Sequence, residues 1–281
     1  MQQDGRLWLT LPIVDEKRAV EGPRGGEPMD VFTGVGVALV TLLDENGSVD
    51  TASTAALAAD LANRGMRGVL VCGTTGEAAA LTDAERADLI GAVRGALPGH
   101  IPVIAGTGAP AAGRAAVLTA AAARAGADAV LAWPPPGSED LDGYFAAVAA
   151  AAGGLPVLGY HIPWVSAPGI PVSALPGLPI CGLKDSSGDP DRLLDEVAHY
   201  PGSTYVGSSA VLALAGPVGA TGAILALANL EPELCGQAFA GDAAAQLRLT
   251  DAHLAVRAGG VPELKRLLAG QRRTAALTRT A

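Results

Sequence analysis

The amino-acid sequence predicts an α/β chain in which eight parallel strands close into a (β/α)8 (TIM) barrel, with additional C-terminal helices. Three observations carry this expectation. From Val31 onward an apolar strand, a polar or glycine-rich turn and an alanine-rich helix recur about every 25 to 35 residues, the pattern of parallel strands joined by crossover helices. Eight such strands can be drawn, and a closed ring of parallel strands has no edge to protect. The 281 residues also suit one barrel of roughly 250 residues plus an extension. A doubly wound open sheet shares the alternation and is the competing architecture. No strand, however, ends in the Gly-x-Gly-x-x-Gly of a dinucleotide site. Gly106-Thr-Gly108 has two glycines of that pattern and no acidic residue placed to hold a ribose, so it reads as a turn.

Residues 1–30 mix charges with glycine and proline and read as an N-terminal extension, irregular apart from a short segment at 7–14. The barrel is expected over 31–241, with strands at 36–42, 68–72, 103–105, 129–133, 157–160, 180–183, 204–206 and 222–225. Helices are expected between and after them at 53–64, 83–96, 111–125, 141–152, 173–175, 191–199, 210–215 and 232–240. Thr82-Asp-Ala-Glu85 is a capping box, and Asp189-Pro190 places proline in a first helical turn. Residues 242–281 form a C-terminal helical extension, with apolar residues at helical spacing over 243–257 and 262–268, of a kind that often covers a subunit face.

Composition narrows the function. With 49% hydrophobic and 17% charged residues the chain is globular and well buried. A net charge of −9, with no basic cluster beyond Arg272-Arg273, argues against a nucleic-acid surface. No apolar run reaches the ~18 residues of a membrane span, and no basic segment with an apolar core opens the chain. Cys72, Cys181 and Cys235 lie in apolar contexts without metal-ligand spacing, as reduced core residues of a cytoplasmic protein do. The expected partners are a small molecule and other copies of the chain. His100, His161, His199 and His253 are scattered, form no ligand pair, and at least three of them read as surface or turn residues, so no metal is expected.

In a barrel the reactive groups belong at the C-terminal ends of strands. Three ends stand out. The second strand runs into Gly73-Thr-Thr-Gly-Glu77, where Gly73, Thr74 and Thr75 offer backbone N–H groups and hydroxyls suited to a carboxylate, or else make an ordinary capped glycine turn. The fifth ends at Tyr160, whose phenol can pass a proton or bind an oxyanion, or be satisfied by a carbonyl. The sixth, Leu178-Pro-Ile-Cys-Gly-Leu-Lys184, delivers one of only three lysines. Lys17 and Lys265 lie among charged residues and read as solvated; Lys184 follows an apolar run instead. An amine desolvated in that way attacks a carbonyl and forms a Schiff base, unless it snorkels to water or pairs with Asp185.

Gly73-Thr-Thr-Gly-Glu77, Tyr160-x-x-Pro163, Gly182-x-Lys184-Asp-x-Ser-Gly188 and Gly219-Ala-x-Gly-Ala-Ile224 fall together in the order and spacing of one known family. Over about 34–268 the chain resembles the dihydrodipicolinate synthase and N-acetylneuraminate lyase family of pyruvate-dependent class I aldolases. The resemblance implies a (β/α)8 barrel, usually tetrameric. It implies that Lys184 is the Schiff-base lysine, that Thr74 and Thr75 hold the pyruvate carboxylate, and that Tyr160 transfers protons. No cofactor is implied. The partners would be pyruvate or another 2-oxo acid and an aldehyde or sugar acid.

Two departures bear on the second substrate. Synthases of the family continue from the tyrosine with asparagine and, after the proline, an arginine; here His161 and Trp164-Val165-Ser166 stand there. The tyrosine pair expected after the fourth strand is replaced by Trp133-Pro-Pro-Pro-Gly137. Trp133 and Trp164 suit a less polar second substrate or simply pack. The sequence therefore predicts a Schiff-base lyase of a 2-oxo acid. Lysine-pathway synthase, sugar-acid dehydratase and a keto-acid-binding barrel without turnover are the alternatives.

Overall fold

A computed structural model describes residues 30–272 and 277–279; Lys17 and the short segment expected at 7–14 lie outside them. Eight strands follow one another around a closed barrel: β1 (Gly34–Ala38), β2 (Val69–Val71), β3 (Val103–Gly106), β4 (Ala129–Ala132), β5 (Val157–His161), β6 (Gly182–Asp185), β7 (Ser203–Val206) and β8 (Gly222–Leu225). Every pair is parallel, and β8 returns to β1 with Gly34 opposite Gly222. The barrel expectation holds, and the open sheet is excluded. Outside run α1 (Thr51–Asn63), α2 (Asp83–Ala96), α3 (Ala112–Arg124), α4 (Leu141–Ala152), α5 (Pro190–His199), α6 (Leu212–Ala215) and α7 (Pro232–Phe239). A 3-10 turn, Val172–Gly177, stands where the helix between β5 and β6 would be. No described helix is long and apolar enough to cross a membrane.

Strand alternation splits the core in two. Leu70, Ile104, Leu131, Leu158, Tyr160, Tyr205 and Ile224 fill the barrel, while Val37, Val69, Val103, Val130 and Leu183 face the helices. The N-terminal end is plugged by Phe32, whose ring lies 4.8 Å from that of Tyr205. Tyr205 donates its hydroxyl to the Phe32 carbonyl at 2.7 Å. A side chain at Gly36 or Gly68 would meet the Phe32 ring at 2.8 Å, so glycine there makes room for the plug. That leaves the other end free for chemistry.

Local chemistry explains where elements begin and end. The Thr82–Glu85 capping box opens α2, and Asp189 caps α5 above Pro190, as the sequence indicates. Asp50, unmarked in the sequence reading, caps α1 and moves its start to Thr51. The first strand was expected over 36–42, but its ladder ends at Ala38 because the next backbone groups are taken by side chains. Val40 donates to Asn229 Oδ1 at 3.2 Å and Leu42 to Thr54 Oγ1 at 3.0 Å. The sixth strand, expected at 180–183, begins at Gly182 and includes Lys184 and Asp185. The C-terminal helices are α8 (Ala243–Arg248) and α9 (Thr250–Arg272) rather than 243–257 and 262–268; α9 is interrupted at Gly260, whose φ of 63° lies in the left-handed region.

Asn229 is fully buried after β8 and clamps the end of β1. Besides accepting from Val40 it donates to the carbonyls of Ala38 at 2.8 Å and Ala226 at 2.7 Å. Asn229→Ala leaves two buried backbone groups without partners, so urea unfolding should show a loss of about 3 kcal/mol. A loss below about 1 kcal/mol would mean that water replaces the clamp.

Candidate active site

Lys184 and Tyr160 are opposite each other in the β5–β6 ladder, both on its inner face. Lys184 is 4% exposed, and its Nζ sits 4.4 Å from the centroid of the Tyr160 ring. An ammonium there faces the negative π surface, and a neutral amine keeps its lone pair beside the barrel mouth. It neither snorkels to water nor pairs with Asp185, which points outward to Ser187, at 2.8 Å from both its N and its Oγ. Space beside the amine comes from Gly207, where a Cβ would stand 3.0 Å from Lys184 Cε and 2.0 Å from Ser186 Oγ. Ser186, two residues beyond the lysine, donates to Tyr160 Oη at 3.3 Å. The sequence reading passed over Ser186, although the strand period places it on the Lys184 face. With that bond made, the phenol keeps its own proton for a substrate oxygen.

The turn after β2 is shaped by two non-glycine residues in the left-handed region, Cys72 (φ 53°) and Glu77 (φ 55°). Internal bonds use the N–H groups of Gly76, Glu77 and Ala78, which reach back to Gly73 and Thr74 carbonyls at 3.0–3.2 Å. Thr41 anchors the turn by donating to the Gly76 carbonyl at 2.8 Å. Thr74 and Thr75 keep their N–H groups and hydroxyls without partners among the described residues. Such a cluster of unused donors suits an anionic oxygen pair.

Two cavities open at this end. One, about 980 Å³, is lined by Gly73, Thr74, Trp133, Tyr160 and Val165; the other, about 610 Å³, by Thr74, Thr75, Trp164, Ser186 and Ser208. They share Thr74 and three residues of α9, Arg257, Gly260 and Val261. Lys184 lines neither; its amine lies against the Tyr160 ring, which lines the first, and its Cε lies beside Gly207, which lines the second. The two tryptophans differ. Trp133 lies against the backbone, so that a Cβ at Gly108 would stand 2.3 Å from its ring; Trp164 is 65% exposed at the mouth.

Several expectations need correction. Lys265, read as solvated, is 1% exposed and pairs with Glu77 at 2.5 Å. It shares a helical stripe with Val261, Leu264 and Leu268, so its spacing gave the clue that its charged neighbours masked. His161 is no turn residue: it ends β5, is buried, and accepts the Ile170 N–H at Nδ1, 3.0 Å away. His253 is half-buried with Nδ1 2.8 Å from Ser209 Oγ, which leaves His100 and His199 at the surface. The three cysteines are free, and burial pushes the thiols of Cys72 and Cys235 up to about 12 and that of Cys181 to about 11. No group of potential metal ligands occurs among the described residues.

Burial, aided by the nearby Arg192 guanidinium, lowers His161 to about 4. Between pH 6.5 and 4 the unfolded chain therefore takes a proton that the native ring refuses, and stability falls as pH drops through that window. His161→Asn keeps an acceptor for Ile170 and removes the titration. Across that window the variant should lose about 2 kcal/mol less than the parent, once solvent screening is allowed for. Parallel acid limbs in urea titrations at several pH values would refute this.

The comparisons with known proteins agree with the geometry. The profile of the dihydrodipicolinate synthetase family matches residues 31–256. A 4-hydroxy-tetrahydrodipicolinate synthase of Thioalkalivibrio sulfidiphilus is 38% identical over 76% of this chain and 78% of its own. An uncharacterized DapA-like lyase of Halobacterium salinarum is 35% identical over 75% and 72%. Among solved structures, the dihydrodipicolinate synthase of Acinetobacter baumannii complexed with pyruvate superposes with a TM-score of 0.80 at 26% identity, covering 89% of this chain and 94% of the other. With a closed barrel, a buried strand-end lysine and these matches, the chain belongs to the dihydrodipicolinate synthetase family.

Proposed function

We propose that this chain is a class I lyase that joins pyruvate to Lys184 as an imine and makes or breaks a carbon–carbon bond beside it. The observation that carries the reading is the stacking of the Lys184 amine against Tyr160, whose side chain lines the same cavity as Gly73 and Thr74. Thr74 and Thr75 hold the pyruvate carboxylate with their N–H and hydroxyl donors, while the backbone of Gly73 shapes the turn. The neutral Lys184 amine adds to the ketone, and loss of water gives an iminium. This cation draws electrons from the neighbouring carbon, so loss of a methyl proton leaves a nucleophilic enamine. Tyr160, hydrogen-bonded by Ser186, moves the proton at the substrate oxygen during carbinolamine breakdown and at the aldehyde oxygen during bond formation.

The second substrate, an aldehyde or a sugar acid, would enter past Trp164 and Arg257. Arg257 has no partner among the described residues and offers a cation that the β5 turn lacks. The name carried by the relatives supports 4-hydroxy-tetrahydrodipicolinate synthase as the narrower reading. The missing arginine and tyrosine pair favour the broader one. The reading includes a cytosolic homo-oligomer, tetramer or dimer, as the resemblance to the family implies.

Enamine formation can be followed without the second substrate. In deuterated buffer the parent should catalyse exchange of the pyruvate methyl protons, read by proton NMR. Lys184→Ala should lose at least about 10³-fold and Tyr160→Phe about 10²-fold of that rate. A parent that exchanges no faster than buffer would be a keto-acid binder or scaffold rather than a lyase.

A further inference from the structure

We propose that Lys265 is a positioning residue of the pyruvate site, holding through Glu77 the turn that presents Thr74 and Thr75. The proposal rests on the reading of that turn as the carboxylate cradle. Lys265 and Glu77 are 188 residues apart in sequence, yet their side chains are 1% and 2% exposed and in contact. Lys265 Nζ also donates to the Leu277 carbonyl at 2.8 Å, and Glu77 Oε2 accepts the Arg279 N–H at 2.6 Å. Arg279 in turn reaches Glu85 at 2.8 Å and the Gly47 carbonyl at 2.9 Å. One buried ion pair thus ties α9 and residues 277–279 to the end of the β2 turn.

Net stability is a weak reason to keep such a pair, because an apolar replacement of similar volume is often equally stable. Geometry is a better one. Glu77 holds a left-handed backbone that a side-chain-bearing residue keeps only where its surroundings enforce it. Its N–H bonds the Thr74 carbonyl at 3.0 Å, so its backbone is part of the turn that aims the Thr74 and Thr75 donors. Its side chain is held by the Lys265 amine and by the Arg279 N–H. Lys265 lines neither cavity and has two oxygen acceptors for its amine, which sets it apart from the imine-forming role of Lys184.

The test compares Lys265→Met, Lys265→Arg and Glu77→Gln with the parent, each checked for folding by circular dichroism. Amide hydrogen exchange of the peptide covering 70–81, without pyruvate, reads the turn itself. It should quicken at least about tenfold in Lys265→Met and stay near the parent in Lys265→Arg. In the methyl-exchange assay KM for pyruvate should rise at least about tenfold in Lys265→Met with kcat within about threefold, and Lys265→Arg should restore most of the KM. Glu77→Gln should show the same KM-dominated defect and carries the test if Lys265→Met fails to fold. A folded Lys265→Met or Glu77→Gln protein with parental KM and parental exchange at 70–81 would overturn the proposal. A parent inert towards pyruvate would sink the functional reading, while exchange at 70–81 would still decide whether Lys265 holds the turn.

Discussion

The site depends on the register between β5 and β6. Tyr160 stands opposite Lys184, and Lys184 opposite Tyr205, so all three side chains face into the barrel; Lys184 meets the Tyr160 ring, while Tyr205 reaches the Phe32 plug at the other end. Because side chains alternate along a strand, a slip of one residue would turn Lys184 out among the helices and bring Asp185 in. Glycines hold the register by close approach. A Cβ at Gly182 would stand 2.7 Å from the Ser203 carbonyl and 2.9 Å from the Leu158 side chain, so β6 can lie where it does only with glycine there. The Lys184 amine is thus placed by backbone packing that begins two residues before it.

Around these side chains the two ends of the barrel divide the work. Phe32 and Tyr205 close the N-terminal end. At the other end each strand or loop adds one kind of group: donors after β2, an indole after β4, a phenol in β5 with the exposed Trp164 in the loop beyond it, and an amine and hydroxyls at β6. Helix α9 lies across this face, contributing Arg257, Gly260 and Val261 to both cavities and Lys265 to the buried pair beneath them. The C-terminal helices are therefore part of the site's wall as well as part of the fold.

Much of this was legible in the sequence, for physical reasons. Parallel strands buried on both faces leave short apolar runs, and eight of them with intervening helices suit a closed barrel, which the strand pairing completes. Lys184, Tyr160, Thr74 and Thr75 were readable because each is a chemically unusual residue where an apolar strand ends. What escaped was long-range. Asn229, from the turn after β8, and Thr54, from the first turn of α1, cap the backbone beyond β1, so the sequence suggests a longer strand. Lys265 looks solvated in the sequence because Glu263 and Arg266 flank it, yet its partner Glu77 lies 188 residues away in the turn after β2, and no local pattern announces such a pairing. Fewer histidines are at the surface than the sequence suggests, because the burial of His161 depends on the loop that brings the Ile170 N–H to its ring.

The central claim is that the Lys184 amine forms a covalent imine with a 2-oxo acid. It is tested most directly by incubating the protein with pyruvate, reducing with borohydride and mapping the product by peptide mass spectrometry. The account predicts a reduced pyruvate adduct on Lys184 and none on Lys17 or Lys265. Well-folded protein carrying no adduct, or one on another lysine, would contradict it.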